Sequence, residues 1–472
     1  MTSIEDAKRR LSVLIEIETD GTLIDTAKSF PSALPEGYAR VFDRSDIELD
    51  LEFGALPVGK GSRAGELTFT PERPADLLKP ENSEKFIIRG FVKGDGGLER
   101  LAREKTDGGL IFHTDPPIIG LLAPPRPTCG TSPYVGHTDT VRRKLHVRTL
   151  SDFGLDGSNV ALAIVDTGIY LPRITQLLGD IKPSGFHPHV DRANSWKEHV
   201  VTEAFGHRLG HGTMCAYDAL IAAPQATLLD YAMLLARTDG DQRLPATIAA
   251  AMRFYYRLIK FWILEPQNKY RALVISNSWG TFHPSEDPNL PASVERYIDN
   301  PNHIFRQYIQ ALAAAGADII FSGSNCGPCC PAAVCLSDTG GMIMGANSYP
   351  EVLTIGGCDT NDELTGYSSR GPSIAGMAPN KPDLLAYTHF LGSKTLRTYI
   401  PDFGVSAACP VAAGCVAALR TRLSPATTPP ANLFNVLRTT ARKVVTTPGW
   451  DPGYGYGIIN PVAAALTLGL IP

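Results

Sequence analysis

The sequence has little excess of either charge and no long, uninterrupted apolar run. Its 44 Lys and Arg residues and 48 Asp and Glu residues leave a net charge of −4, so no broad electrostatic attraction to nucleic acid or to an anionic membrane is expected. The apolar stretch 246–264 is interrupted by Arg253, Arg257 and Lys260 at helical spacing. That pattern is typical of an amphipathic, mostly buried helix rather than a membrane span. We therefore expect neither nucleic acid nor a membrane as a partner.

The N-terminus lacks the apolar core of a secretory signal. Residues 1–10 are rich in charged side chains, whereas a signal needs an apolar core of about 7–15 residues. Unless a signal was removed before this numbering begins, we expect the chain to stay in the cytoplasm. The sequence does not indicate an oligomeric state.

The nine cysteines are placed unevenly along the chain. Four of them lie close together: Cys326, Cys329, Cys330 and Cys335. Three interpretations stay open, namely free thiols, which a reducing compartment favours, a local disulfide, or a zinc site with the Cys-x-x-Cys ligand spacing. Because no second Cys-x-x-Cys pair lies at zinc-ribbon spacing, we assign no metal site.

Apolar strands alternate with helices from about residue 146 onward. The strand candidates are 160–165, 226–233, 272–276, 317–322 and 352–356, and the helix candidates are 213–222, 245–264, 303–315 and 410–423. Because the strands are continuously apolar, they predict a mostly parallel sheet covered by helices on both faces. Functional loops in such a sheet lie at the carboxyl ends of its strands.

Residues 1–145 form a different region. They contain short strand candidates and a helix candidate at 97–105, followed by a Pro-rich linker at about 116–130. This composition predicts a smaller α/β N-terminal domain, separate from a larger domain at 146–472.

Three weak signals occur in one fixed order. Asp166 ends the apolar run 160–166, His211 lies between two glycines, and Ser406 precedes small residues and a proline. A serine hydroxyl is a poor nucleophile until a neighbouring base takes its proton. Histidine suits that task, and a carboxylate holds its ring in one tautomer. Together the three residues predict a serine nucleophile with its base and orienting acid.

A fourth candidate is Asn325, which follows the apolar strand 317–322. A side-chain amide at that place can donate a hydrogen bond to the oxyanion of a tetrahedral intermediate. Asn277 is the competing candidate. The small residues after Ser406 also place its hydroxyl near a helix N-terminus, where developing negative charge is favoured.

These motifs resemble those of the subtilisin-like serine proteases. The resemblance covers residues 140–465 and includes the chain order Asp, His, Ser. Two further segments also resemble motifs of that family: Ser-Asn-Ser-Trp-Gly at 276–280 and Ser-Ser-Arg-Gly-Pro at 368–372. Val405 and Ala407 replace the more usual threonine and methionine around the serine, and neither change removes a catalytic group.

The resemblance implies a fold, an activity and a site. The fold is a three-layer subtilisin-like α/β fold with a mostly parallel central sheet. The activity is that of a serine endopeptidase working through an acyl-enzyme. The catalytic residues implied are Asp166, His211, Ser406 and Asn325, and the substrate-binding residues are Ser278, Trp279, Gly280 and Gly323. A peptide or protein substrate would bind as an extended strand, with the indole of Trp279 as an apolar wall.

Several alternatives stay open at this stage. A peptide ligase or macrocyclase would use the same acyl-enzyme, and a catalytically silent module would only bind peptides. The N-terminal region is either a removable propeptide, as in many family members, or a permanent domain. Cys215, one helical turn after His211, is either a packed core thiol or the mark of a thiol-dependent subgroup. No cofactor is expected, and the calcium that the family often binds has no assigned site.

Overall fold

A computed structural model describes residues 11–18, 47–58, 78–79, 83, 85–93, 110–121, 134–177, 189–197, 210–235, 243–265, 269–287, 294–332, 334–335, 343–395, 399–446 and 448–472. The chain divides into two compact units. The first comprises Met1–Pro117, Thr247–Glu265 and Pro284–Leu312, and the second comprises Ile118–Ala246, Pro266–His283 and Ala313–Pro472. The predicted boundary at 145/146 stays a prediction. The helix candidate 97–105 and most of the predicted linker lie outside the described residues.

The described elements are sixteen strands and nine α-helices. The strands are β1 (Leu11–Glu18), β2 (Ile47–Leu49), β3 (Leu56–Val58), β4 (Lys85–Val92), β5 (Ile111–Thr114), β6 (Pro117–Leu121), β7 (Val160–Asp166), β8 (His189–Val190), β9 (Trp196–Lys197), β10 (Thr227–Ala232), β11 (Arg243–Thr247), β12 (Ala272–Asn277), β13 (Val294–Glu295), β14 (Asp318–Ser322), β15 (Leu353–Cys358) and β16 (Leu384–Tyr387). The helices are α1 (Thr138–Lys144), α2 (Val147–Asp152), α3 (Leu171–Leu177), α4 (His211–Leu220), α5 (Ile248–Ile259), α6 (Phe305–Ala314), α7 (Val405–Arg420), α8 (Pro430–Thr439) and α9 (Pro461–Thr467).

The second unit is built on an eight-stranded sheet of order β16-β15-β14-β12-β7-β10-β8, with β9 also paired to β10. Neighbouring strands run parallel, as between β7 and β10 or β12 and β14. All seven residues of β7 are buried, because a strand in the middle of such a sheet is covered on both faces. The predicted parallel sheet with flanking helices, and with it the fold class, is confirmed.

Helix α7 runs through the core of this unit, and all sixteen of its residues are buried. It packs closely against α4 because Gly414 has no side chain: a Cβ there would lie 2.1 Å from the carbonyl oxygen of Ala219. At the far end of α7 the guanidinium of Arg420 donates to both carboxylate oxygens of Asp318 in β14, at 2.6 and 2.7 Å. Both side chains are fully buried, so α7 and the sheet are joined by a buried ion pair.

The predicted start of α7 was wrong by five residues. The helix begins at Val405 and contains Pro410 in its second turn, whereas the sequence placed its start at the proline. Proline has no N–H with which to bond the carbonyl of Ser406, four residues earlier. That carbonyl accepts instead from the Ser278 hydroxyl at 3.0 Å and from the Cys215 thiol at 3.4 Å. The helix tolerates the proline because other donors satisfy the carbonyl that it frees.

The first unit contains the N-terminal sheet, of order β13-β5-β1-β4-β2, with β3 paired to β4. Its pairs are antiparallel except β13–β5. Helix α5 and most of α6 belong to this unit as well. The Asp115 carboxylate accepts the N–H of Ala249 in the first turn of α5 at 2.7 Å, and the Tyr308 hydroxyl of α6 donates to the Pro57 carbonyl at 2.9 Å. The N-terminal sheet is therefore bonded to helices that come much later in the chain.

The apolar stretch 246–264 forms α5 followed by a short π-helix, Lys260–Leu264. Most of its side chains are buried, as its amphipathic pattern predicts. In the part of the chain that the structure describes, no helix has both the length and the apolar character to cross a bilayer.

Candidate active site

Asp166 is the last residue of β7, at the carboxyl edge of the central sheet. Its Oδ1 accepts the N–H of Thr167 at 2.7 Å, which fixes the carboxylate at the start of the turn. The Thr167 hydroxyl in turn accepts the N–H of Gly212 in the first turn of α4, at 3.0 Å. The turn after β7 therefore holds the helix that carries the candidate base.

His211 is the first residue of α4. The chain enters this helix through Gly210 at φ +72°, a left-handed conformation that favours glycine. The Nδ1 of His211 lies 2.8 and 2.9 Å from the two carboxylate oxygens of Asp166. The Nε2 is buried and has no hydrogen-bond partner. One ring nitrogen is thus held by the acid, and the other is left with nothing bonded to it.

Ser406 lies in the first turn of α7 and is almost fully buried. Its carbonyl oxygen is held by Ser278, at the end of β12, and by Cys215 of α4. The Cys215 sulfur also lies 3.6 Å from Asp166 Oδ2 and 4.0 Å from His211 Nδ1. These shared contacts place Asp166, His211 and Ser406 in one cluster. Because His211 Nε2 has no partner, its hydrogen bond to the Ser406 hydroxyl is not formed here, and such bonds often tighten only when substrate binds.

Asp166, His211 and Cys215 form the one group of metal-ligating side chains with suitable geometry among the described residues. Burial, reinforced by the Asp166 charge, raises the pKa of the Cys215 thiol well above its usual value. The sulfur donates to the Ser406 carbonyl and to Asp166 Oδ2, at 3.4 and 3.6 Å. The contacts describe a packed, hydrogen-bonded thiol beside the Asp166–His211 pair, and membership of a thiol-dependent subgroup stays a prediction.

The two asparagine candidates for the oxyanion differ in what their amides contact. The Asn325 Oδ1 accepts the N–H of Val405 at 2.8 Å, so its amide lies at the N-terminus of α7. The Asn277 Nδ2 donates to the Ile320 carbonyl at 3.0 Å and to the Ile275 carbonyl at 3.4 Å. Asn277 thus joins β12 to β14, and Asn325 is the candidate beside the serine.

The four predicted substrate-binding residues follow β12 and β14. The indole of Trp279 is buried and packs edge-on against Phe321, with ring centroids 5.0 Å apart. The Trp279 carbonyl accepts from Asn347 Nδ2 at 2.9 Å, and the role of the indole as an apolar wall stays a prediction. Gly323 donates its N–H to the Ile355 carbonyl at 2.8 Å, within the sheet. Ser278 holds the carbonyl of the candidate nucleophile, as described above.

Gly280 is paired with a segment that sequence analysis assigned to a linker. Its N–H donates to the Ile119 carbonyl at 3.2 Å, and its carbonyl accepts the N–H of Ile119 at 2.9 Å, in antiparallel register. Ile119 belongs to β6, which also pairs with β11. The signal for this strand was the apolar run at residues 118–121, which lies within the Pro-rich segment.

The four-cysteine cluster contains a disulfide, Cys326–Cys335. Cys330 is also disulfide-bonded, and Cys329 is free and exposed. Of the three interpretations, the structure shows the local disulfide. Disulfides persist in oxidising compartments and are rare in the reducing cytoplasm. The bridge therefore does not support the expected cytoplasmic location, which stays a prediction. The bridge closes a loop that begins next to Asn325 and packs against Ile119 and Phe282.

Known proteins similar to this chain were found at the levels of family, sequence and structure. The subtilase family profile matches residues 157–457. The serine protease AprX of Bacillus subtilis (strain 168) is 25% identical over 326 residues, which are 62% of this chain and 64% of that protein. The subtilisin-like protease SBT6.1 of Arabidopsis thaliana is 25% identical over 271 residues, 56% of this chain and 22% of that protein.

The crystal structure of MycP1 with its N-terminal propeptide removed is 21% identical in sequence and superposes with a TM-score of 0.43, covering 69% of this chain and 96% of that one. The chain spans less than two-thirds of the length of each of the two curated relatives, AprX and SBT6.1. The family profile, however, covers more than half of this chain and includes the segments that carry Asp166, His211, Asn325 and Ser406. The chain belongs to the subtilase family of serine peptidases.

Proposed function

We propose that this chain is a serine endopeptidase that hydrolyses peptide bonds through an acyl-enzyme. The observation that carries the proposal is the buried Asp166–His211 pair, whose unbonded Nε2 lies in the same cluster as Ser406. A histidine held at Nδ1 by a carboxylate keeps Nε2 as the proton acceptor. The neighbouring hydroxyl is the nucleophile that such a base activates.

Each residue then has one part in the reaction. Ser406 Oγ attacks the scissile carbonyl while His211 Nε2 takes its proton and afterwards gives it to the leaving amine. Asp166 orients the ring and stabilises the imidazolium. The Asn325 amide and the backbone N–H of Ser406 donate to the oxyanion. Water, activated by His211, then releases the acyl group and regenerates the serine.

The substrate backbone binds as an extended strand at the place that β6 occupies here. β6 lies between β11 and Gly280 and uses the backbone groups of Gly280 that a bound peptide would use. Strand addition of this kind supplies affinity through backbone hydrogen bonds. The N-terminal region therefore acts as an inhibitory propeptide, and cleavage of the chain between residues 121 and 134 releases the site.

The test is hydrolysis of an internally quenched peptide library by the wild type, by Ser406→Ala and by Ser424→Ala, a control serine in a turn near the far end of α7. We expect the wild type and the control to cleave peptides and to shorten their own chains, as measured by intact mass. Ser406→Ala should do neither. Hydrolysis that persists in Ser406→Ala would overturn the assignment of the nucleophile. An unshortened wild type that cleaves peptides at full rate would overturn the propeptide role.

A further inference from the structure

Asn347 joins the two backbone segments that flank the proposed substrate site. It lies on the 3-10 turn Gly345–Ser348, which precedes β15, and it is 2% exposed. Its Nδ2 donates to the carbonyl of Trp279 at 2.9 Å and to that of Ser322 at 2.8 Å. Because carbonyl oxygens only accept, the orientation of the amide is fixed.

The other amide atom of Asn347 is left without a donor. Its Oδ1 is buried and has no hydrogen-bond partner. Most buried polar atoms are paired, so an unpaired one calls for an explanation. The amide lies against Gly280: a Cβ at position 280 would be 2.9 Å from Nδ2 and 3.2 Å from Oδ1. The unpaired acceptor therefore lies beside the residue whose backbone pairs with β6.

The proposed chemistry says which substrate side chain enters this region. Asn325 holds the carbonyl that Ser406 attacks, and Asn325 follows Ser322 by three residues along the same segment. In the proposed binding mode, and by the substrate-binding residues that the family resemblance implies, the side chain on the residue with that carbonyl, called P1, enters between this segment and Trp279–Gly280. Those are the two segments that Asn347 joins.

We propose that Asn347 is a specificity-determining residue whose Oδ1 accepts a hydrogen bond from the P1 side chain. The preferred P1 residue carries an uncharged N–H donor, as asparagine and glutamine do. A cationic side chain is disfavoured because Trp279, Gly280, Ser322 and Asn347 carry no charge to compensate a buried cation. A site built around a buried acceptor discriminates against ligands that leave it unpaired. This inference rests on the proposed peptidase function.

The test compares two pairs of peptide substrates that differ only at P1: asparagine against leucine, and glutamine against methionine. Each pair is nearly equal in size and differs in the amide donor. For the wild type we expect kcat/KM to favour the amide at least tenfold in one pair or both. In Asn347→Ala the ratio should fall to one or below. Ser348→Ala, which alters the next side chain of the same turn, should keep the wild-type preference.

The outcomes separate this inference from the function on which it rests. A small fluorophosphonate without a P1 side chain labels an active serine whatever the pocket prefers. Labelling together with a wild-type preference for leucine and methionine would overturn the role of Asn347, and would mean that water satisfies Oδ1. An amide preference that survives in Asn347→Ala would also overturn it. If Asn347→Ala does not fold, the wild-type ratios decide: a preference for the amide in either pair supports the inference, and a preference for leucine and methionine overturns it.

Discussion

Replacing Asp166 with asparagine tests how the site keeps His211 ready to accept a proton. The Asp166 Oδ1 accepts the Thr167 N–H at 2.7 Å, so the oxygen of an asparagine would keep that place. Its NH₂ group would then take the position of Oδ2, 2.9 Å from His211 Nδ1. His211 Nδ1 also lies 2.8 Å from Oδ1, but a donor at the Oδ2 position favours the tautomer in which Nδ1 accepts and the ring proton lies on Nε2. The ring can then no longer take the proton of Ser406.

The expected loss follows from this change of tautomer. We expect kcat of Asp166→Asn to fall by about 10⁴-fold, which corresponds to about 5–6 kcal/mol of transition-state stabilisation. KM should change little, because Asp166 does not touch the substrate. The assay is steady-state hydrolysis of a peptide by self-processed enzyme, or by enzyme processed in trans where the variant cannot cut itself.

Asp230→Asn is the matched control for this prediction. Asp230 lies on β10, next to β7, and its carboxylate accepts the N–H of Ile169 at 3.2 Å. The same chemical change at this neighbouring buried carboxylate should cost less than tenfold in kcat. A kcat of Asp166→Asn within tenfold of the wild type, or an equal loss in Asp230→Asn, would contradict the role of Asp166 in fixing the His211 tautomer.

Three further predictions concern stability. Burial raises the pKa of Asp230 to about 6, so the wild type loses unfolding free energy as pH rises from about 4 through 6 and the buried carboxyl ionises. Asp230→Asn should therefore gain up to about 2–3 kcal/mol relative to the wild type over that range. Denaturant unfolding at pH 4 and pH 8 checks this, and an equal difference between the two proteins at both pH values contradicts it. Arg420→Met should lower the free energy of unfolding by about 3–5 kcal/mol, because it leaves Asp318 buried and unpaired. Adding Asp318→Leu should recover part of that stability in thermal unfolding. No recovery would argue against the ion pair. Replacing Cys326 and Cys335 with alanine should lower the free energy of unfolding by about 2–3 kcal/mol, because the cross-link is lost. The measurement is the unfolding midpoint in non-reducing buffer, which should be lower than that of the wild type. Equal midpoints would contradict a formed bridge.

The parts of the fold that could be predicted from sequence are those fixed by local pattern. The continuous apolar run of β7 predicts a strand covered on both faces, and the structure buries all of it. Asp166 ends that run, so its place at the carboxyl end of a sheet strand could be predicted without tertiary information. The glycine before His211 likewise indicates the tight entry into α4 that the structure shows.

The parts that could not be predicted depend on contacts between distant residues. β6 is short and lies in a Pro-rich stretch, and its pairing with β11 and with Gly280, both far along the chain, makes it a strand. The start of α7 was misplaced because a proline usually marks a first turn, whereas here Ser278 and Cys215 satisfy the freed carbonyl. Asn347 belongs to no motif. Its importance follows from two carbonyls that lie together only in the folded chain.

The role of Ser406 as nucleophile is tested most directly by locating the residue to which a fluorophosphonate probe attaches. The processed enzyme is labelled, digested with trypsin, and the adduct is located by tandem mass spectrometry. We expect one adduct, on Ser406, which is lost in His211→Ala because the hydroxyl then has no base. An adduct on any other residue, or an unlabelled Ser406 in processed enzyme, would contradict the claim that these residues form a working serine peptidase site.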